Sequence, residues 1–264
     1  ALKKLKEKGG ICGVHCENSG VINALIEEKK AAGEMGVSSH PETRPDFLEA
    51  EAVSRLLRIA QAVDIPVVIV HLTNREALDE VAFARARGQR VYVETCPQYF
   101  SLTEDEILSK GSLARVNPPL RTRADVEAII DGLKDGTIDA IATDHAPHSA
   151  EEKARPLAEA PSGMVGLETA LAVTLTELYH TGEMGLSDIL RKMTINPAFI
   201  LRIPKGRLSL GGGADFTIFD PDEEWTVDPE QFASKGRNTP FGGWQAKGRV
   251  KYTIVGGRVI YQDA

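Results

Sequence analysis

The sequence predicts an α/β fold of parallel strands joined by helices, followed by a small antiparallel β segment. Three observations carry that expectation. Short apolar runs at residues 11–14, 65–70, 90–93 and 139–142 each end abruptly in polar or ionisable residues, which is how strands buried on both faces read. The stretches between them hold helix-spaced apolar residues, so each strand feeds a helical crossover and the next strand runs parallel to it. Beyond about Pro204 the texture changes to glycine-rich turns and alternation, the pattern of antiparallel strands.

The composition suits that architecture. The chain has 264 residues, 42% of them hydrophobic and 26% charged, enough for one large α/β domain or a domain with a small appendage. A net charge of −7 disfavours a nucleic-acid surface. No apolar run approaches the roughly 18 residues of a membrane span, and the basic opening around Lys3, Lys4, Lys6 and Lys8 lacks the apolar core of a signal peptide. Three cysteines, Cys12, Cys16 and Cys96, are an odd count without a disulfide spacing, so a reducing, cytoplasmic setting is expected. Strand alternation puts Cys12 and Cys16 on the face opposite His15, so both are read as packing residues rather than zinc ligands.

Taken in order, Gly9-Gly10 breaks the chain before a first strand that ends in His15-Cys16-Glu17-Asn18. Val21, Ile22, Leu25 and Ile26 then predict a helix, and residues 32–45 read as loop. Asp46 is expected to cap a helix with Phe47, Ala50, Val53, Leu57 and Ala60 on one face. The second strand ends in His71. A helix over about 76–87 is closed by Gly88, and the third strand leads into Glu94-Thr95-Cys96-Pro97. A short helix starts at residues 103–106. The loop 115–121 carries Pro118 and Pro119, which exclude helix, and a helix over about 123–134 leads to the fourth strand. That strand ends in Thr143-Asp144-His145-Ala146-Pro147-His148. The charged loop 149–162 is expected to lie over the strand ends. Helices follow over 166–179, 186–193 and 196–201. Then come β strands near 214–220 and a hairpin, 251–255 and 258–261, around Gly256-Gly257.

Ionisable residues at the carboxyl ends of parallel strands sit where both a (β/α)₈ barrel and an open doubly wound sheet place their sites. No glycine-rich phosphate loop follows any strand, so a nucleotide fold has no support. A lone buried histidine has an ordinary structural explanation. His15, His71 and Asp144 at matching strand ends instead point to a shared divalent cation such as Zn²⁺. His40 and His180 show no such placement and are read as surface residues.

The chain also resembles the cyclic amidohydrolases, most closely the bacterial-type dihydroorotases. The motifs are Val14-His15-Cys16-Glu17, Val70-His71-Leu72-Thr73, Val116-Asn117-Pro118-Pro119-Leu120-Arg121, Thr143-Asp144-His145-Ala146-Pro147-His148, and Ala160-Pro161-Ser162-Gly163-Met164-Val165-Gly166-Leu167-Glu168-Thr169. Asn238-Thr239-Pro240-Phe241 and residues 211–220 match the family's C-terminal region. The likeness implies a (β/α)₈ barrel with a two-zinc centre and a small β-sandwich, and interconversion of N-carbamoyl-L-aspartate and dihydroorotate. His15 and His71 would bind one metal and Asp144 the other. Asp144 would also act as acid and base, taking the proton from the attacking hydroxide and passing it to the leaving amide nitrogen. Asn117 and His148 would hold the pyrimidine ring, with the backbone of Ser162 and Gly163 against it. Arg121 suits either an anion or a structural salt bridge.

Two departures shape the expectation. Glu94-Thr95-Cys96-Pro97-Gln98-Tyr99 resembles the hydantoinase and allantoinase branch more than the dihydroorotase one. The family's first-strand H-x-H pair, its bridging ligand and its carboxylate-gripping arginine have no counterpart in the sequence. The expectation is therefore an incomplete barrel beginning near the family's fifth strand. Residues 1–203 form its later strands and helices, and residues 204–264 form the β-sandwich segment. By itself this stretch is expected to be inactive, and the full-length form to be a homo-oligomer acting on a small molecule. The rivals are a hydantoinase or allantoinase, and a catalytically silent homologue with a binding role.

Overall fold

All four apolar runs form strands. In the computed structural model, which describes residues 1–263, β1 (Cys12–Val14), β2 (Val67–Ile69), β3 (Val91–Thr95) and β4 (Ala140–Ile141) make one parallel sheet in the order β1-β2-β3-β4. Val14 pairs with Ile69, Ile69 with Val93, and Thr95 with Ile141. Each crossover therefore advances the sheet by one place, and all four carboxyl ends open on the same rim.

The crossover helices form where the apolar spacing predicts them, and their ends have local causes. Asn18 and Asn74 accept from Val21 N–H and Ala77 N–H, starting the helices Ser19–Ala32 and Arg75–Ala86. Thr122 caps Arg123–Asp135 in the same way, and Gly136, at φ 88°, ends it. The helix Asp46–Val63 begins one residue earlier than expected. Pro45 holds the cap position, and Asp46 is the first helical residue.

The sheet has two differently covered faces. On one, Val67, Ile69, Val91 and Val93 join Val53, Leu57, Ala60, Val81, Ile129 and Leu133 in the main core beneath the helices. On the other, Val68 and Ala140 cluster with Ile200, flanked by Val70 and Tyr92. Close approach of two helices rests on Gly132, where a Cβ would lie 3.2 Å from Leu78 Cδ1 and 3.3 Å from the Ile138 side chain.

The C-terminal strands β5 (Phe216–Thr226), β6 (Gln245–Val255) and β7 (Arg258–Gln262) form a separate antiparallel sheet, order β5-β6-β7. The β6–β7 turn is Gly256-Gly257 with both φ positive, at 56° and 76°, as a two-residue hairpin requires. Val227, Phe232, Phe241 and Ala246 pack with Tyr99, Val116, Met164 and Val165 in a third cluster, so this segment abuts the strand-end side of the parallel sheet.

Several local expectations are corrected. His40 is no surface residue: it is 6% exposed, on a short helix Ser39–Glu42 inside the stretch read as loop, and its Nε2 donates to Val116 O at 2.8 Å. Burial holds its pKa down at about 3, so it is neutral. His180 is half-buried against Pro221 O at 2.8 Å. Both were missed because nothing in the local pattern shows a distant carbonyl. The single helix expected over 166–179 is a short α-helix, Ala170–Thr174, continued by a π-turn, Leu175–Tyr179.

Candidate functional site

His15 directly follows β1 and His71 follows β2 by one residue. They do not stand at equivalent positions, because Val70 N–H donates to Val14 O at 3.3 Å and the register sets Val70 rather than His71 opposite His15. The backbone compensates: His71 takes φ 40° and Asp144 φ 47°. Left-handed backbone costs a non-glycine residue about 1–2 kcal/mol, and it turns both chains sharply at the rim.

The result is a convergent pair. His15 Nδ1 and His71 Nε2 are 3.0 Å apart, their rings meeting edge to face with centroids 4.7 Å apart. His15 Nε2 donates to Glu17 Oε2 at 2.8 Å, and Arg44 holds the same oxygen at 3.0 Å. That fixes the tautomer, leaving the Nδ1 lone pair facing His71. Desolvation alone would raise the Glu17 pKa, but His15 and Arg44 together lower it, so the carboxylate stays charged. Burial depresses the His71 pKa, His15 adds to the effect, and the negative charge of Asp144 opposes it. His71 Nδ1 is buried without a partner.

The pair fits a tetrahedral cation. With metal–nitrogen bonds of 2.0–2.1 Å, two ligands of one tetrahedral zinc lie about 3.3 Å apart, close to the observed separation. A carboxylate on the remote nitrogen of a ligating histidine is the usual support. Among the described residues, however, no three His, Cys, Asp or Glu side chains meet as a metal-holding group. Asp144 is exposed at the same rim and acts on its neighbours through its charge. Burial first, and then Asp144, push the Glu94 pKa up to about 7.

A second wall holds the other predicted residues. His148 Nε2 donates to Ser162 O at 3.1 Å, and Gly163 N–H donates to Arg115 O at 2.8 Å, tying the 162–163 strap to the loop that carries Asn117. Asn117 Oδ1 is buried and unpartnered, an acceptor without a donor. Only glycine fits position 163: φ is 126°, and a Cβ would lie 2.5 Å from Ala146 Cβ. Lys153, 5% exposed, donates to Pro161 O at 2.8 Å and Gly163 O at 3.0 Å. The loop 149–162 is therefore anchored beside the site. Burial lowers the Lys153 pKa to about 8, with Arg115 adding to it.

Arg121 resolves as a structural ion pair. Its guanidinium lies 3.1 Å from Glu49, which also accepts from Thr73 N–H at 2.9 Å and Asn74 Nδ2 at 2.7 Å. His145 is structural too, its Nδ1 accepting from Gly166 N–H at 3.1 Å. Sequence reasoning gave no role to Glu17, Arg44, Glu94, Lys153 or Asn238. Glu17 alone had a local signal, lying two residues after His15.

Two convergent imidazoles at the carboxyl rim of a parallel sheet stand where such folds carry their active sites. The chain belongs to the amidohydrolase family, whose sequence model matches residues 1–260. It is 42% identical over 250 residues to a dihydroorotase from Syntrophus aciditrophicus, covering 94% of this chain and 58% of that protein. It is 43% identical over 263 residues to one from Geobacter metallireducens, covering 99% and 61%. The L-hydantoinase (dihydropyrimidinase) structure from Arthrobacter aurescens superposes with a TM-score of 0.95 at 31% identity, covering 99% of this chain and 59% of that one. The chain thus spans about 60% of the length of these relatives. No helix among the described residues is long and apolar enough to cross a membrane.

Proposed function

We propose that this chain carries the substrate walls and part of the metal site of a dihydroorotase, interconverting N-carbamoyl-L-aspartate and dihydroorotate. The single observation behind the chemistry is the 3.0 Å approach of His15 Nδ1 and His71 Nε2. The choice of substrate rests on 42–43% identity to dihydroorotases against 31% to the hydantoinase. On this reading β1–β4 are the later strands of an eight-stranded barrel, residues 1–203 belong to it, and residues 204–264 to a β-sandwich. The span of the relatives outside the match would supply the remaining ligands. A soluble cytoplasmic homo-oligomer with two zinc ions completes the proposal.

His15 and His71 would hold one cation and Asp144 a second. Such ions would supply Lewis acidity, acidifying a water and polarising the ring carbonyl. The chain's own residues do the rest. Glu17 and Arg44 keep His15 oriented. Asp144 Oδ accepts the proton of the attacking water and returns it to the ring nitrogen as the amide bond breaks. Asn117, His148 and the Ser162–Gly163 backbone offer donors and acceptors to the ring's polar edge.

The test is turnover and metal content of the full chain. It should use dihydroorotate in preference to hydantoin or allantoin and hold stoichiometric divalent metal, whereas residues 1–264 alone should be inactive. Asp144→Asn should lower turnover by at least 10³-fold, since general acid–base transfer contributes roughly 10²–10⁴-fold and this residue would also hold metal. Near-normal turnover in that variant, or preference for hydantoin, would reject the reading. A metal-free, inactive full chain would favour the silent homologue.

A further inference from the structure

One side chain ties both substrate walls to the C-terminal segment. Asn238 is 3% exposed, and every polar atom of its amide is used. Oδ1 accepts from His148 N–H at 3.0 Å. Nδ2 donates to Ala146 O at 2.9 Å and to Gly163 O at 3.1 Å. Its backbone oxygen accepts from Val165 N–H at 2.9 Å. Four hydrogen bonds therefore span two segments, 146–148 and 163–165, and add to the direct bonds between them from Ala146 N–H to Met164 O at 2.9 Å and from His148 Nε2 to Ser162 O. The segment bearing Asn238 is itself held. Gly236 presses so closely on Pro147 that a Cβ would lie 2.7 Å from it, and Phe241, 2% exposed, is buried with Met164 and Val165.

We propose that Asn238 is a positioning residue: it sets the separation of the His148 wall and the Ser162–Gly163 strap, and through it the C-terminal segment controls the width of the substrate site. The inference rests on the dihydroorotase reading for the identity of the substrate, but not for the clamp itself. The chemistry is specific to a primary amide. A carboxylate would turn an oxygen toward two carbonyl oxygens, and an aliphatic residue would take their partner from His148 N–H and Ala146 O and leave Gly163 O with Lys153 alone. A displacement of about 1 Å in such a wall can cost about 10²-fold in rate.

The experiment uses the metal-loaded full chain with Asn238→Ala and the isosteric Asn238→Asp. Asn238→Asp keeps the acceptor for His148 N–H and the side-chain volume but puts a carboxylate oxygen where the donors stood, so it remains informative where Asn238→Ala fails to fold. With dihydroorotate as substrate, KM should rise at least about tenfold in Asn238→Asp, with the cation held by His15 and His71 retained, because both residues follow strands outside the clamped segments. Unchanged KM, or a fall in kcat that tracks metal loss at constant KM, would overturn the proposal. Hydrogen exchange separates this result from failure of the substrate assignment. The amides of Ala146, His148 and residues 163–166 should exchange at least tenfold faster in Asn238→Asp, while those of β2 and β3 keep their protection, whether or not the parent turns over dihydroorotate. Equal protection at both segments would refute the clamp.

Discussion

The Glu49–Arg121 pair offers the sharpest test of how the rim is held. Glu49 is 2% exposed and Arg121 6%. The carboxylate takes Thr73 N–H, the Thr73 hydroxyl, Asn74 Nδ2 and the guanidinium, while Arg121 also donates to Arg44 O. The network thus joins the segment following His71 to the arginine that holds Glu17. Arg121→Leu would strand a buried carboxylate, and breaking one side of such a pair costs about 3–5 kcal/mol. At about 2–4 °C per kcal/mol for a protein of this size, the melting midpoint should fall by about 6–20 °C. Thermal unfolding followed by circular dichroism at neutral pH measures it. In Arg121→Leu combined with Glu49→Leu the uncompensated charge is gone, so the loss should be smaller than the sum of the two single losses. A single-variant drop below about 2 °C, or strict additivity, would refute the reasoning.

Two further outcomes follow from the rim. Glu17→Gln removes the charge that orients His15, and metal affinity should fall about 10–100-fold, read by competition with a chelator; unchanged affinity would remove Glu17 from the site. Glu94 titrates near 7 in the fold against 4.5 for the free group, through burial and the charge of Asp144. The folded protein then binds more protons than the unfolded one between those values, so stability falls as pH rises through that window, by up to about 3 kcal/mol. In the metal-free protein Glu94→Gln should therefore melt higher than the parent at pH 8 and close to it at pH 4.5, and a pH-independent difference would contradict the assignment.

How much of this was legible beforehand differs between elements. Apolar runs ending in His15, His71 and Asp144 marked the strands, because burial on both faces leaves a continuous hydrophobic signature. The Gly256-Gly257 turn was equally plain, since few residues accept positive φ. His40 was misread because its partner, Val116 O, lies 76 residues away, and no local pattern reports such a contact. The expectation of equal strand-end positions failed for a related reason. Register is a property of two strands together, and the left-handed turn at His71 appears in no periodicity.

The sequence by itself determined which residue types reach the rim, since alternation and apolar runs are short-range properties of one segment. Tertiary structure alone decided that His15 Nδ1 meets His71 Nε2, that Arg121 serves Glu49 rather than an anion, and that Asn238 bonds to His148 N–H from 90 residues away. Those are pairings of distant groups, and buried polar atoms select their partners only after the chain has excluded water from around them.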